Sequence, residues 1–433
     1  MSAATIGLIG IVILVALFFT RMPVAYVMTL VGFLGFSYII SLQSGCKLLA
    51  RDIYDIFSSY GLTVIPMFVL MGQLAFNAGI GRKLYDAAYA FLGHTKGGLA
   101  MATVAACCAF GTVSGSSPGT AATFAVVGLP EMKRYHYGNR LASGCVASGG
   151  SLGMLMPPSV VMIVYGILTE QSIGKLFVAG ILPAIFMSIL FIAAIWVYCL
   201  MSPHEGPVGD KFTWSDKFRS LTKLSDTLAI FIVVMGGLFF GWFTPGEAGA
   251  VGAFAVFVAA LLRKSLSWAG FVKSCYETLR TSCMILLLVA GAVVFGHFLA
   301  VTRIPFELAS WVAALNLPSW AIVLVIVLVY LIGGCFIDAL ALIMLTIPIF
   351  YPVITNLGYD PVWFGVIIVL VTQMGVITPP VGINVYVVNG IDKSIPLEDI
   401  FIGSMPFLIA LIVGTVIMVM FPKPVVWLPN LMY

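Results

Sequence analysis

The sequence predicts an all-α polytopic membrane protein with about ten membrane spans plus two re-entrant helical hairpins, arranged as an inverted repeat. Three observations carry this. First, 61% of the 433 residues are hydrophobic and only 9% are charged, with a mean hydropathy of +1.12. A soluble domain carries about 25% charge. Second, the apolar stretches are long and do not alternate. A transmembrane barrel of ~10-residue alternating strands is thereby excluded, and only helices satisfy every backbone polar group within such stretches. Third, two glycine- and proline-broken regions recur at one constant spacing.

At ~20 apolar residues per span, spans are expected near 4–20, 24–42 and 62–79. The opening MSAATIGLIGIVILV lacks a basic region and a clear cleavage site, and reads as the first span. An unusual region at 98–131 and a broken span at 137–168 follow. Further spans are expected near 176–201, 226–240, 246–262 and 281–301. A second unusual region covers 320–353, a second broken span 360–391, and a last span 402–421. Polar segments at 43–61, 80–97, 265–280, 302–318 and 393–401 look amphipathic and read as interfacial connecting arms.

The basic residues orient the chain. With the N-terminus outside and both unusual regions re-entrant, 16 of the 21 Lys and Arg residues fall on the cytoplasmic side. Among them are Arg21, Arg82, Lys133, Arg140, Arg263, Lys264, Lys273 and the connector residues Lys211, Lys217, Arg219 and Lys223. Only Lys47, Arg51, Lys175, Arg303 and Lys423 fall outside. A full span at either unusual region would break this partition, so helical hairpins are expected there.

The two regions match each other. Gly111 pairs with Gly333 at an offset of 222, and the same offset pairs Pro130 with Pro352, Gly153 with Gly375, Pro157 with Pro379 and Pro158 with Pro380. The expected organisation is a first repeat at 1–202, a cytoplasmic connector at 203–225 and a second repeat at 226–433. Five spans and a hairpin per repeat place the halves in opposite orientations. Inverted repeats with interrupted helices mark secondary transporters, with the site at the breaks near the midplane.

The breaks have the chemistry for ions. The run Gly111 to Thr120 crowds small and hydroxylated residues into an apolar stretch, with Pro118 suited to a first helical turn. It suits a hairpin tip lining a cavity; a small-residue packing face is the lesser alternative, and the repeat in the second half weighs against it. Pro157 and Pro158 remove two amide donors and free carbonyls upstream. Free carbonyls can replace the oxygen shell of a hard cation. Pro379 and Pro380 repeat this, and Thr378 adds a hydroxyl; a plain proline kink is the simpler alternative. Asp338 is the one acid of 17 deep inside an unusual apolar region. It reads as functional or as a helix cap, and the two coexist. His297, alone in an apolar span, reads as a hydrogen-bonded structural residue.

Other classes are disfavoured. A net charge of +4 without a basic cluster gives no nucleic-acid surface. The eight cysteines form no CxxC pair and read as apolar filler. No Walker A pattern and no HExxH occur, so no ATP hydrolysis is expected by that route. An intramembrane hydrolase using Ser114, Ser116 or Ser117 would need a base or metal nearby, and the four histidines offer no paired spacing. Two separate breaks per half favour a carrier over a channel.

The segments GTVSGSSPGTAA, GGSLGMLMPPS, GWFTPGEAGAVGA, GCFIDALA and GVITPPVGINVYV together resemble the large membrane subunit of the tripartite ATP-independent periplasmic (TRAP) transporters, DctM type. The resemblance covers nearly the whole chain. It implies an elevator-type ion-transporter fold in a bacterial inner membrane, multi-pass, with a periplasmic N-terminus. It implies two partners, a small four-helix membrane subunit (Q type) and a periplasmic substrate-binding protein (P type). The implied cargo is an organic acid such as sialic acid or a C4-dicarboxylate, coupled to Na⁺ and not to ATP. Carried over by position, the first Na⁺ site would use Gly111, Ser114, Gly153, Met156 and Pro158. The second would use Gly333 or Gly334, Gly375, Thr378 and Val381. The substrate is expected near Ser116, Ser117, Thr120, Asp338 and Asn384. The hairpins and broken spans would form a moving transport unit and the remaining spans and arms a scaffold. A stand-alone sodium/carboxylate symporter of related fold is the competing reading, although the Ser-Asn-Thr tips of such carriers are absent.

Overall fold

The computed structural model describes residues 2–18, 20, 22–222, 224–314 and 318–432. Arg21 and Lys223, used above to orient the chain, lie outside the described residues. In the first repeat, α1 (Ala3–Phe18) and α2 (Val24–Ile39) lead to the arm α3 (Leu42–Ser58), then α4 (Val64–Asn77) and the arm α5 (Ile80–Leu92). A hairpin follows, α6 (Gly98–Ser114) and α7 (Ser117–Arg134), then a helix broken into α8 (Asn139–Ser151) and α9 (Val160–Thr169), and α10 (Ile173–Met201). The connector carries α11 (Trp214–Thr222). The second repeat runs α12 (Ser225–Phe239), α13 (Pro245–Leu262), α14 (Trp268–Thr302) and the arm α15 (Ile304–Ala314). Its hairpin is α16 (Ser319–Gly334) and α17 (Ala339–Asn356), its broken helix α18 (Pro361–Gly375) and α19 (Ile383–Ile391), and α20 (Leu397–Met420) and α21 (Lys423–Met432) close the chain. The described residues contain no strand. Both expected hairpins and both expected broken spans are present.

Local sequence explains the boundaries. Thr244 and Glu247 form a capping box with Pro245 in the first turn of α13, satisfying two orphan amides reciprocally. Asp360 caps α18 through the Val362 and Trp363 amides, again with proline in the first turn. Six described helical segments are long and apolar enough to cross a bilayer: Tyr60–Asn77, Ile173–Met201, Pro245–Leu262, Trp268–Thr302, Ala339–Asn356 and Leu397–Met420. The other expected spans are shorter or broken. The 16 residues of α1 reach about 24 Å, against ~30 Å of hydrocarbon.

One expectation is corrected. The arm at 265–280 and the span at 281–301 are a single helix, α14, of 35 residues. In the first repeat the corresponding arm and span separate at a 3₁₀ turn, Tyr60–Thr63, which contains Gly61. At that place the second repeat has Cys283, and no proline occurs within α14, so nothing stops the helix.

The elements gather into two packed groups. One contains α1, α2, α4, α12, α13 and α14. Gly32 of α2 lies so close to α14 that a Cβ there would meet the Phe295 backbone at 2.7 Å, the close approach that small residues permit in membranes. The other group contains both hairpins, both broken helices, α10 and α20. The last two depart from the expectation that all remaining spans belong to the scaffold. A Cβ on Gly144 of α8 would stand 2.1 Å from the Gly403 carbonyl of α20, so these helices are in backbone contact and cannot slide separately. Exposed side chains such as Leu8, Ile232, Phe254, Leu324 and Ile409 cover the perimeter and suit lipid.

Candidate functional site

The first hairpin turns in two residues. Gly115 adopts φ +58°, which favours glycine, and a Cβ there would be 2.5 Å from the Pro158 carbonyl. Ser116 then caps α7 by accepting the Gly119 amide at 3.3 Å. The tip thus lies directly on the break of the first broken helix, and the Val160 amide donates to the Gly115 carbonyl at 3.4 Å.

At that break Pro157 and Pro158 lack amides, so the helix cannot continue. The Met154 carbonyl is taken by Ser159 Oγ at 2.5 Å. The carbonyls of Gly153, Met156 and Pro158 accept no hydrogen bond among the described residues. Gly111 packs here too: a Cβ on it would lie 3.1 Å from both Gly153 Cα and Met156 Cβ. Three of the five residues proposed for a first ion site, Gly111, Gly153 and Met156, therefore meet at one crossing, and Pro158 lies against Gly115 of the same tip. Ser114 joins them through its side chain, which hydrogen-bonds Thr120 Oγ1 at 2.7 Å. Its carbonyl lies toward α4, 2.9 Å from where a Cβ on Gly72 would sit.

The second break repeats the arrangement with a register change. A Cβ on Gly375 would stand 2.3 Å from the Gly334 carbonyl carbon and oxygen. Gly334, and not Gly333, is the residue that meets the break. Gly333 faces Leu342, and its carbonyl is used by the Phe336 and Ile337 amides. The caps Ser116 and Asp338 keep the 222 offset, but the second tip has four residues between its helices and the first only two. Across the longer tip, the residue that meets the break is displaced by one from the 222 offset. Thr378 Oγ1 donates to the Met374 carbonyl at 2.6 Å and keeps its lone pairs. The Val381 amide donates to the Cys335 carbonyl at 3.3 Å, tying the break to the tip. The peptides Pro157–Pro158 and Pro379–Pro380 are both cis. Gln373, two residues before Gly375, is fully buried, and neither amide atom has a hydrogen-bond partner.

These donors are neutral oxygens, which suit a hard monovalent ion. No group of three or more His, Cys, Asp or Glu able to hold a metal occurs among the described residues, so nothing here resembles a transition-metal site.

A cavity of about 460 Å³ lies between the two packed groups. Ser116, Ser117 and Asp338 line it from the hairpin tips. Thr120 and Asn384 do not line it; both are completely buried. Thr120 Oγ1 donates to the Ser116 carbonyl at 2.8 Å. Asn384 Oδ1 accepts from Ser117 Oγ at 2.9 Å, and its amide donates to the Ala147 carbonyl at 2.8 Å. It joins the first hairpin to the second broken helix. Asp338 is the cap of α17, accepting the Leu340 amide at 3.1 Å, as the cap reading expects, and it also lines the cavity.

The opposite wall carries residues that sequence reasoning missed: Gln73 from α4, and Lys273, Glu277 and Thr281 from α14. They were hidden because 265–280 reads as an arm on the membrane surface. The available signal was the four-residue spacing of Lys273, Glu277 and Thr281, which places all three on one face of a helix. His297 Nε2 lies 3.4 Å from the Asp52 carboxylate of α3, a close approach without hydrogen-bond geometry, since that buried oxygen has no hydrogen-bond partner among the described residues.

Residues 11–424 match the family described as tripartite ATP-independent periplasmic transporter, DctM component. The chain belongs to this family. It is 35% identical to the C4-dicarboxylate TRAP transporter large permease protein DctM of Pseudomonas aeruginosa, over 88% of this chain and 89% of that one. It is 31% identical to the sialic acid TRAP transporter large permease protein SiaM of Vibrio cholerae, over 96% of each. The crystal structure of the Alcanivorax borkumensis YdaH transporter superposes with a TM-score of 0.58 at 13% identity, covering 88% of this chain and 89% of that one, a likeness of fold alone. The chain is thus a multi-pass membrane transporter subunit and not an enzyme.

Proposed function

We propose that this chain is the sodium-coupled permease subunit of an importer for organic acids, working by an elevator movement in a bacterial inner membrane with its N-terminus periplasmic. The observation that carries the reading is the doubled break. At the first break the Pro158 carbonyl abuts Gly115 of the neighbouring hairpin, at the second the Gly334 carbonyl of the hairpin abuts Gly375, and both tips reach one cavity. Carbonyls of Gly111, Gly153, Met156 and Pro158 would hold one Na⁺, and those of Gly334, Gly375 and Val381 with the Thr378 hydroxyl another. When bound, the ion would supply positive charge to the Gly153, Met156 and Pro158 carbonyls, which accept no hydrogen bond among the described residues, while the Gly111 and Gly375 carbonyls would share it with the Gly115 and Thr378 amides.

The chain's own residues do the rest. Ser116 presents its hydroxyl to the cavity, and the Ser117–Asn384 bridge makes the two repeats move as one body. The cavity is lined by the ends of α4 and α14 nearest the basic residues Arg82, Lys83, Arg263 and Lys264. By the positive-inside rule that is the cytoplasmic side, so the conformation is the inward-facing one.

The names of the relatives suggest a carboxylate cargo, with a C4-dicarboxylate and sialic acid as first choices. A small membrane subunit of the Q type and a periplasmic binding protein of the P type complete the importer. The test is uptake into proteoliposomes with and without each partner and an inward Na⁺ gradient. Uptake is expected only with both partners and Na⁺. Robust uptake by this chain alone would favour the stand-alone sodium/carboxylate symporter.

A further inference from the structure

A carboxylate entering the cavity must exchange its water for donors or a counter-charge, because an unpaired buried anion is costly. The hairpin tips offer little. Two helices begin at the cavity, and amides at both are already committed. Ser116 takes the Gly119 amide and Pro118 has none. Asp338 takes the Leu340 amide and brings a negative charge of its own. The Ser117 hydroxyl is donated to Asn384.

The scaffold wall is different. Lys273 is the one cation among the residues lining the cavity. It is exposed, and no ion pair or hydrogen bond engages its ammonium group among the described residues. Glu277, one turn further along the same face, forms no salt bridge with it. The segment carrying both is fixed: Ser274 Oγ accepts from Asn77 Nδ2 at 2.9 Å, and its own hydroxyl is shared between the Gly270 carbonyl at 2.9 Å and the Gln73 carbonyl at 3.2 Å. The ammonium group therefore stands on a helix pinned to the scaffold, facing tips on the other packed group.

We propose that Lys273 receives the carboxylate of the transported acid in this cavity and sets its preference for anions. The proposal rests on the carrier reading above. Because Lys273 and the tips belong to different bodies, the contact exists only while the cavity between them is formed. Glu277 limits its strength by lowering the local positive potential, which favours release.

The test uses the full-length chain in nanodiscs at fixed Na⁺, with radiolabelled succinate and N-acetylneuraminate as probes, alongside Na⁺-driven uptake of both in three-component proteoliposomes. Lys273→Met is expected to weaken binding of both acids roughly 10- to 100-fold, the value of one charge-assisted contact, without moving the Na⁺ dependence. Lys273→Arg should retain most of the affinity, and Glu277→Gln should shift it in the opposite direction to Lys273→Met. Added choline chloride should weaken binding to the wild type but not to Lys273→Met, since salt screens only the charged contact. Wild-type affinity and salt response in Lys273→Met would overturn the assignment, as would a wild-type protein that binds neither acid. A wild type with Na⁺-driven uptake that Lys273→Met leaves unchanged overturns Lys273 alone. Absence of Na⁺-dependent uptake in the wild type overturns the carrier reading itself.

Discussion

At the scale of single residues, Thr378 and Gly375 test the proposed ion sites differently. Most candidate ligands are backbone carbonyls, which substitution cannot delete. Thr378 is the exception, with its hydroxyl 2.6 Å from the Met374 carbonyl. Thr378→Val keeps the shape and removes the oxygen. With ~1.5–3 kcal/mol as a proxy for one lost contact to a charge, Na⁺ affinity should fall about 10- to 100-fold. The check is uptake against Na⁺ concentration, with loss at low Na⁺ and partial recovery at high Na⁺. An unshifted curve removes Thr378 from the site. Gly375 tests register. Its added Cβ would meet Gly334 backbone at 2.3 Å, whereas one on Gly333 would meet only Leu342 side-chain methyls at 2.7 Å. Gly375→Ala should cost roughly 1–3 kcal/mol of overpacking and abolish Na⁺-dependent uptake. Gly333→Ala should be tolerated, because Leu342 can turn. Equal effects of the two in thermal unfolding and uptake would refute the one-residue slip.

Between elements, a buried bridge and a surface clamp hold the second group together with different strengths. Ser117→Ala leaves the fully buried Asn384 oxygen without its donor, which costs about 1–3 kcal/mol. A lowered unfolding midpoint in detergent is the expected readout. At one edge of this group Lys133 pairs with Asp392 and donates to Ser394 Oγ at 2.8 Å, while Arg140 Nε lies 2.8 Å from Asp399. These pairs join the first hairpin to the loop before α20 and α8 to the first turn of α20. Lys133 is more than a third exposed, so Asp392→Asn should cost at most about 1 kcal/mol after solvent screening. The Lys133 hydrogen bond, followed by Ser394, holds the Asp392 carboxyl below its ordinary 3.8. A lowered acid stabilises above its unfolded value and loses that contribution as pH falls toward the folded one. Wild type and Asp392→Asn should therefore differ equally at pH 7 and pH 5 and converge only below about pH 4.

For the whole molecule, topology is the first thing to test. The connector carries Lys211, Lys217 and Arg219, and Ser215 is exposed on α11. A membrane-impermeant thiol reagent should not label Ser215→Cys in intact cells when background cysteines are blocked. Labelling from outside would invert the orientation, and the cavity would then face the periplasm.

Much of this architecture is legible in the chain because membranes leave few options. A long apolar run must be a helix, and a proline pair must break it. The fold class, both hairpins and both breaks follow, and the 222 offset reveals the repeat without any contact being known. Three things needed the tertiary structure. Gly334 replaces Gly333 at the second break because the tips differ in length, and register at a crossing depends on the turn between helices as well as on sequence offset. Asn384 leaves the cavity because burial against Ala147 and Ser117 satisfies its amide. Lys273 enters the cavity because α14 runs unbroken through 35 residues, carrying a segment with surface composition to the wall facing the tips. Local sequence decides where a helix can form and where it must stop; which of its faces meets another body is set by the packing of all the rest.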